Sequence, residues 1–243
     1  MTWRAPSESV TRSRASSAGT ELQGAEATVT IDDDHVVKER NPRSYRHPAL
    51  DERLRTERTR SEVRLTSEAR RHGVPTPLVL DVDPATARIV FQRVGESDLR
   101  ESLSEATVGA VGTALARIHD AGFVHGDPTT RNVRVATGGA TRDERAERAR
   151  RDGPRTEAVS EANRDGANRE QRVYLIDFGL GYYTDEPEDH AMDLHVLAQS
   201  LAGTADDPEA LFGAATDAYR TESGHADAVF ASLADIEGRG RYQ

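Results

Sequence analysis

Three side chains occur at a spacing that suits phosphoryl transfer. Asp127 is followed five positions later by Asn132, and Asp177 opens an Asp-Phe-Gly further along the chain. A carboxylate such as Asp127 orients an attacking hydroxyl or water and accepts its proton, while Asn132 and Asp177 offer oxygens to Mg²⁺. We predict that Asp127 is catalytic and that Asn132 and Asp177 bind the metal and its nucleotide.

A lysine and a glutamate complete the set. Lys38 is the only lysine in the chain, and every other basic side chain apart from histidine is arginine. A compact ammonium binds phosphate as a point charge, so Lys38 is predicted to hold nucleotide phosphates. Glu62, inside a helix predicted over residues 48–71, would pair with Lys38 and fix it. The alternative is that Glu62 is a solvent-exposed partner of Arg58, at i,i+4 spacing.

Each short motif is weak alone, because Asp-Phe-Gly and His-Gly-Asp also occur in ordinary turns. The ordered set is more specific, since its members follow one another at the rough spacing of a kinase-like fold. Its members are Lys38, Glu62, Asp127, Asn132 and Asp177. The set predicts an enzyme that uses ATP and Mg²⁺.

Composition narrows the class of protein. The chain of 243 residues has no cysteine and a formal net charge of -10. A disulfide framework is excluded, and bulk attraction to nucleic acid or an anionic membrane is disfavoured. No apolar run approaches the ~20 residues of a membrane span, and no secretory signal is recognisable, so a cytoplasmic location is expected. The acidity suggests adaptation to a salty cytoplasm.

The N-terminal half predicts an antiparallel sheet against one long helix. Strands are predicted at residues 28–31 and 35–38, joined by an acidic turn, and at 78–82 and 88–92. The helix at 48–71 has acids in its first turn and arginines in its last. Its many arginines suit either a solvated charged face or a docking surface for a partner or RNA.

Nucleotide contacts are predicted at two places in this half. A GxGxxG loop is absent, so a tighter turn with Gly24, Ala25 and Glu26 would cover the phosphates. A hinge between two lobes would follow the last strand, where backbone groups from Gln92 to Val94 meet an adenine.

The C-terminal half predicts helices with short strands between them. Apolar residues recur at helical spacing over 105–121, and further helices are predicted at 207–221 and 225–237. Residues 125–132, which contain Asp127 and Asn132, are called the catalytic loop. Asp193, early in another helix, would either hold the backbone of this loop or serve as a first-turn acid. Strands at 133–135 and 173–177 would deliver Asn132 and Asp177.

The predicted organisation is one kinase domain of two lobes. Residues 1–22 read as a disordered tail or linker, 23–93 as the N-lobe and 94–243 as the C-lobe. Residues 137–172, rich in charged and small side chains, are predicted to be a disordered insertion. The basic end, 238–243, is predicted to be flexible.

Several blocks together resemble one family. They occupy residues 24–27, 38, 45–51, 58–62, 125–132, 177–180 and 239–241. With these blocks the chain resembles the small atypical kinase/ATPase subunit of the KEOPS complex, a family related to the p53-related protein kinase of eukaryotes. The likeness covers residues 22–136 and 172–243. Pro128, where the family usually has Leu, and the insertion at 137–172 depart from it.

The resemblance implies a compact bilobal α+β fold with a reduced helical C-lobe. It implies serine/threonine protein kinase activity or autophosphorylation with ATP and Mg²⁺, and ATPase activity within the complex. That complex makes the N6-threonylcarbamoyl modification of adenosine in tRNA. The implied partners are the threonylcarbamoyl-transferase subunit on the C-lobe and a small regulatory subunit on the N-lobe. Residues 1–22 would resemble the linker of a fusion of the two enzymes.

Two other functions stay open at this point. His-Gly-Asp also occurs in small-molecule phosphotransferases of the aminoglycoside or choline kinase type, although the chain after Asp193 is short for their helical substrate pocket. A scaffold that binds nucleotide without turnover is the other alternative. The sequence does not name the phosphoacceptor, because Asp127 serves a hydroxyl or a water equally well.

Overall fold

A computed structural model describes residues 19–24, 26–138 and 171–240. The predictions for Ala25, for most of the tail, for the central part of the insertion and for residues 241–243 lie outside the described residues.

Five strands form the N-terminal sheet. They are β1 (Thr20–Gln23), β2 (Ala27–Ile31), β3 (His35–Arg40), β4 (Val79–Asp83) and β5 (Arg88–Gln92). Their order is β1-β2-β3-β5-β4, and every neighbouring pair is antiparallel. The acidic turn between β2 and β3 is held by Asp32, whose carboxylate accepts the backbone N–H groups of Asp34 and His35. The predicted antiparallel sheet is confirmed.

The first strand corrects one predicted boundary. The tail was predicted to reach residue 22, but β1 begins at Thr20 and pairs with β2, with Leu22 opposite Val29. All four residues of β1 are exposed, so they show none of the apolar alternation that marks a half-buried strand. Backbone pairing with β2 forms this strand, and composition does not reveal it.

The long helix α1 (Pro48–Arg71) has the predicted bounds. Proline occupies its first turn, where no N–H partner is lost, and Arg70 and Arg71 lie in its last turn beside the negative end of the helix dipole. Its buried residues are largely polar: Asp51, Thr59, Glu62, Leu65, Thr66 and Ala69. The side of α1 that faces the sheet therefore carries charge into the interior.

Four helices build the C-terminal lobe within the described residues. They are α2 (Glu105–Asp120), α3 (Pro187–Ala202), α4 (Pro208–Glu222) and α5 (Ala226–Gly240). A capping box between Ser104 and Thr107 starts α2. Helix α2 packs on α4 and α3 packs on α5, around a core that includes Leu115, Leu194 and Tyr219.

The last helix corrects a second boundary. Residues 238–243 were predicted to be flexible, but α5 continues to Gly240. Arg239 donates to Glu188 of α3 at 3.0 Å, which attaches this end of α5 to the lobe. This tertiary contact overrides the low helix propensity of Gly238 and Gly240.

Two small sheets of the C-terminal half flank residues 125–132 and the Asp-Phe-Gly segment. Strand β8 (Val133–Thr137) lies between β6 (Ser97–Asp98) and β9 (Gln171–Leu175), and β7 (Phe123–Val124) pairs with β10 (Tyr182–Tyr183). Strands β8 and β9 extend into both ends of the predicted insertion, since Thr137 pairs with Gln171. The two sheets hold the catalytic loop and the Asp-Phe-Gly segment side by side.

The contact between α2 and α4 depends on a glycine, which gives a test. A Cβ on Gly112 would lie 2.1 Å from the backbone oxygen of Ala215 in α4. Gly112→Ala is expected to lower the free energy of unfolding by about 1–3 kcal/mol, because the helices must move apart. Urea unfolding followed by circular dichroism measures the change.

Gly213, inside α4, is the matched control. A Cβ there meets no atom within 4 Å, so Gly213→Ala should stabilise the protein by about 0.5–1 kcal/mol through helix propensity. Equal effects of the two substitutions on the free energy of unfolding would contradict the close approach of α2 and α4 at Gly112.

Candidate active site

A buried carboxylate organises the N-lobe side of the site. Glu62 of α1 is fully buried, and its Oε1 lies 2.7 Å from Lys38 Nζ. Its Oε2 accepts from the guanidinium of Arg40 at 2.5 Å. Lys38 and Arg40 are two residues apart on β3, so both side chains leave the same face of the strand. The predicted pairing of Lys38 with Glu62 is present in the structure.

The alternative partner of Glu62 is engaged elsewhere. Arg58 reaches Glu26 at 3.4 Å rather than Glu62. Arg40 was missed as a site residue, although its place two positions after Lys38 was a signal that could have found it. The buried carboxylate is thus held by two cations, which is the usual condition for a charge in the protein interior.

Lys38 also reaches across to the C-lobe. Its ammonium lies 2.7 Å from Asp177 Oδ1 as well as from Glu62. Burial disfavours the charged ammonium, but the two carboxylates outweigh burial and hold the pKa of Lys38 above its ordinary value. Burial likewise opposes ionisation of Asp177, and the Lys38 charge nonetheless lowers the pKa of that carboxyl. The pair is therefore ionic at neutral pH.

The catalytic loop places Asp127 against Asn132. The Asn132 amide Nδ2 donates to Asp127 Oδ2 at 2.8 Å and to the Asp127 carbonyl at 2.9 Å. Burial raises the pKa of the Asp127 carboxyl, and the hydrogen bond from Asn132 only partly opposes that rise. Asp127 is the carboxylate in this site whose basicity is increased, as a proton acceptor requires.

Asp193 holds the backbone of this loop. Its Oδ2 accepts from the His125 N–H at 2.7 Å and its Oδ1 from the Gly126 N–H at 2.9 Å. His119 Nε2 lies 3.1 Å from Oδ2. Burial alone would raise the pKa of Asp193, but these hydrogen bonds, led by that of His119, lower it. Of the two roles open for Asp193, the structure shows the support of the catalytic loop.

His125 connects the catalytic loop to the Asp-Phe-Gly segment. Its Nε2 lies 3.0 Å from the Ile176 carbonyl, which can only accept, and its Nδ1 takes the N–H of Asp127 at 3.3 Å. These partners require the tautomer with hydrogen on Nε2. The ring also packs on Phe178, with the centroids 4.6 Å apart. Neither His125 nor Phe178 was assigned a role from the sequence.

A cleft of about 430 Å³ lies between the lobes. Of the predicted site residues, its wall includes Gly24, Lys38, Glu62, Gln92, Val94 and Asp177. Asp127 and Asn132 are not part of this wall, but their neighbour Arg131 is. The charge of Asp177 adds to burial in raising the pKa of Asp127, so the two carboxylates are close.

Glu26 lies apart from the cleft. Its carboxylate pairs with Arg43, which precedes α1, at 3.7 Å and with Arg58 of α1 at 3.4 Å. The predicted contact of Glu26 with nucleotide stays a prediction, and its side chain is already engaged by these two arginines. Gly24 keeps the predicted tight turn, donating its N–H to the Ala27 carbonyl at 2.9 Å.

The residues predicted to hold Mg²⁺ have the oxygens to do so. Asn132 donates through Nδ2, and within the described residues its Oδ1 has no hydrogen-bond partner. Asp177 uses Oδ1 for Lys38 and for the Gly179 N–H, leaving Oδ2 without a partner in the same part of the chain. Among the described residues no group of three or more His, Asp and Glu side chains could hold a metal. Mg²⁺ sites completed by phosphate oxygens need only one or two protein carboxylates or similar groups.

Comparison with known proteins identifies the family. No protein-family model matches the chain. A probable serine/threonine-protein kinase Bud32 homologue of Archaeoglobus fulgidus is 33% identical over 219 residues, covering 90% of this chain and 94% of that protein. The chain belongs to the Bud32 kinase family. The resemblance predicted from the sequence is thereby confirmed.

Longer relatives contain a similar region. A probable bifunctional tRNA threonylcarbamoyladenosine biosynthesis protein of Haloarcula marismortui is 69% identical over 243 residues. The match covers 100% of this chain and 39% of that protein. The chain therefore spans well under half the length of such bifunctional relatives.

A solved kinase shares the fold. The Rio2 kinase–ADP/Mg²⁺–phosphoaspartate complex from Chaetomium thermophilum superposes with a TM-score of 0.57 at 15% identity, covering 92% of this chain and 71% of that one. The predicted kinase-like α+β architecture of this Bud32-family chain is confirmed.

Replacing Asp193 tests the support of the loop. Asp193→Asn leaves one carbonyl oxygen for two backbone donors and turns an amide N–H₂ toward the other, so a buried donor is left unpaired. The free energy of unfolding is expected to fall by about 2–4 kcal/mol, measured in urea. Because the pKa of Asp193 is lowered, this stability is present above the ordinary Asp pKa and is lost as pH falls through the lowered value.

Asp227, exposed on α5, provides the matched control, and Asp227→Asn should change stability by less than about 0.5 kcal/mol. An Asp193→Asn protein as stable as the control at neutral pH would contradict the proposed support.

Asp127→Asn is expected to have the opposite effect on stability. Because burial raises the pKa of Asp127, stability falls as pH rises from the ordinary Asp pKa through the raised one. The amide can still accept from Asn132 and carries no charge to desolvate. The melting temperature at pH 7 should therefore equal or exceed that of the wild type, and a clear drop would contradict this account of Asp127.

Proposed function

We propose that the chain is an ATP- and Mg²⁺-dependent serine/threonine protein kinase and ATPase that supports threonylcarbamoyladenosine formation in tRNA as a subunit of the KEOPS complex. One observation carries the proposal: Lys38 bridges Glu62 and Asp177 on the wall of a cleft, beside the Asp127–Asn132 pair. We expect this edge of the cleft to combine a phosphate-binding cation, the Mg²⁺ ligands and a proton acceptor. The family assignment and the names of the bifunctional relatives support the biological setting.

Different residues would bind the base, the phosphates and the metal. The base would lie against the backbone from Gln92 to Val94, and Lys38 would bind the phosphates, with Gly24 in the turn above them. Asn132 and Asp177 would hold Mg²⁺, which supplies neutralisation of the phosphate charge when it is bound. Positioning and charge neutralisation account for most of the catalysis in this class of reaction.

Asp127 would be the proton acceptor of the reaction. A carboxylate of raised pKa, steadied by the Asn132 amide, orients the attacking hydroxyl or water and accepts its proton. Turnover should therefore fall as pH drops through the raised pKa, earlier than for an ordinary aspartate. The same group serves a protein hydroxyl and a water, so protein phosphorylation and ATP hydrolysis share this machinery.

The proposed partners are the threonylcarbamoyl-transferase subunit on the C-lobe, a small regulatory subunit on the N-lobe, and tRNA through the assembly. Four large apolar side chains of one segment are exposed beside the catalytic loop, and this supports docking on the C-lobe: Leu180, Tyr182, Tyr183 and Met192. Within the described residues, no helix has the length and apolar character to cross a membrane. We propose a cytoplasmic location.

The decisive experiment measures Mg²⁺-dependent ATP turnover at high salt, for the chain alone and with the transferase subunit and tRNA. Turnover should depend on both additions and fall at least about 100-fold in Asp127→Asn, because the proton acceptor is gone. Asp227→Asn is the control carboxylate substitution and should retain wild-type turnover.

Two results would contradict the proposal. Fast transfer to an added aminoglycoside or choline, indifferent to partner and tRNA, would indicate a free-standing phosphotransferase. Unchanged threonylcarbamoylation by a complex that contains Asp127→Asn would indicate a scaffold without catalytic turnover.

A further inference from the structure

An arginine lies on the C-lobe side of the nucleotide cleft. Val133 and Val135 of β8 are 0% and 1% exposed and belong to the core of the C-lobe. Arg134 lies between them, so its side chain leaves the opposite face of the strand, and it lines the cleft. The alternation of β8 therefore places a planar cation, the Arg134 guanidinium, at the cleft between the lobes.

The hinge end of the cleft is the part that Arg134 approaches. Its guanidinium Nη2 lies 3.4 Å from the carbonyl of Gly95, directly after Val94. Gly95 has a φ of +62°, and a Cβ on it would lie 2.9 Å from the Arg134 Cβ. The hinge and Arg134 are therefore packed closely.

A flat base fits this end of the cleft. Val94 is buried and lines the cleft, and its backbone N–H donates to none of the described residues, which leaves a donor for a ring nitrogen. Val29 and Val36 line the cleft from the N-lobe strands, and Ile176 and Arg134 line it from the C-lobe. A ring inserted here would have aliphatic side chains on one face and a guanidinium on the other.

Arg134 presents its guanidinium to the cleft with few polar contacts. Its charge adds to the hydrogen bond from Arg100 in lowering the pKa of Asp98, its cross-strand partner. Within the described residues, Arg134 lies in no ion pair, and its side chain makes one hydrogen bond, to Gly95. A guanidinium plane stacks on aromatic rings through dispersion and cation–π attraction, and nucleobases are good partners. The hydrogen bond to Gly95 uses an edge of the guanidinium, and we expect the plane to offer a face to a ring in the cleft.

We propose that Arg134 binds the face of the purine base of the nucleotide by stacking, and so sets the affinity of the cleft for the base. This inference rests on the proposed function, because it takes the cleft to be the ATP site. A contact with phosphates, the other use of an arginine in such a cleft, is disfavoured by the position of Arg134 at the hinge.

The test compares adenosine with ATP as ligands, by isothermal titration calorimetry, for wild type, Arg134→Ala and Arg134→Leu. Stacking predicts that Arg134→Ala weakens both ligands by a similar factor, roughly tenfold. Arg134→Leu, which restores an apolar surface, should recover part of that loss for both ligands. In ATP turnover, KM should rise with kcat little changed, since the base is bound equally in the ground and transition states.

Arg53→Ala is the charge-matched control. Arg53 is exposed on α1 and does not line the cleft, so its loss should leave adenosine affinity unchanged. If Arg53→Ala and Arg134→Ala weaken adenosine equally, or if Arg134→Ala weakens ATP alone, stacking is overturned. Melting temperatures within a few degrees of wild type establish that the variants fold.

The two proposals fail in different ways. Wild-type protein that binds ATP with Mg²⁺-dependent turnover, but an Arg134→Ala variant with unchanged adenosine affinity, would overturn the stacking role alone. Wild-type protein that binds neither nucleoside nor nucleotide would overturn the proposed function, and the stacking role with it.

Discussion

The buried carboxylate of Glu62 is the constraint on which the two lobes depend. A charge with no solvent access is tolerated only when cations and hydrogen bonds surround it, and Lys38 and Arg40 supply both. Because these cations lie on β3 and Glu62 lies on α1, the helix is fixed to the sheet at one rotation and one height. Lys38 then extends the same network to Asp177, so the position of a C-lobe side chain is coupled to the packing of the N-lobe.

Asp193 accepts hydrogen bonds from backbone N–H groups and so holds them in place, as Glu62 holds Lys38 and Arg40 in place. Both carboxylates are buried and fully engaged, and neither is available for chemistry. Asp127 differs because its main partner is a neutral amide and burial raises its pKa, whereas the pKa of Asp193 is lowered. Glu62 and Asp193 thus keep the site rigid, and Asp127 is the carboxylate whose basicity is increased. Groups held in place before the reaction need little reorganisation during it, which is the main source of catalysis by positioning.

Local pattern was sufficient for much of this structure. Helix α1 was predicted to the residue, because a proline, first-turn acids and last-turn arginines mark its ends. Motif spacing also named Lys38, Glu62 and Asp177, which the structure brings together. The missed features depend on partners distant in the chain. Strand β1 forms by pairing with β2, Glu26 pairs with Arg43 and with Arg58 of α1, and Arg40 belongs to the site through its contact with Glu62. Hydrophobic periodicity along the chain does not predict contacts between residues that are distant in sequence.

The charge of the chain and the charge of the cleft have opposite signs, and this bears on how a nucleotide is held. The chain carries -10 overall, yet three arginines line the cleft together with Lys38: Arg93, Arg131 and Arg134. At an ionic strength near 1 M, salt screens charges beyond about 3 Å. Long-range attraction then contributes little, and affinity must come from groups in contact with the ligand. Stacking is far less weakened by salt than a distant ion pair, so a cation placed on the base is better suited to those conditions than one placed at the rim.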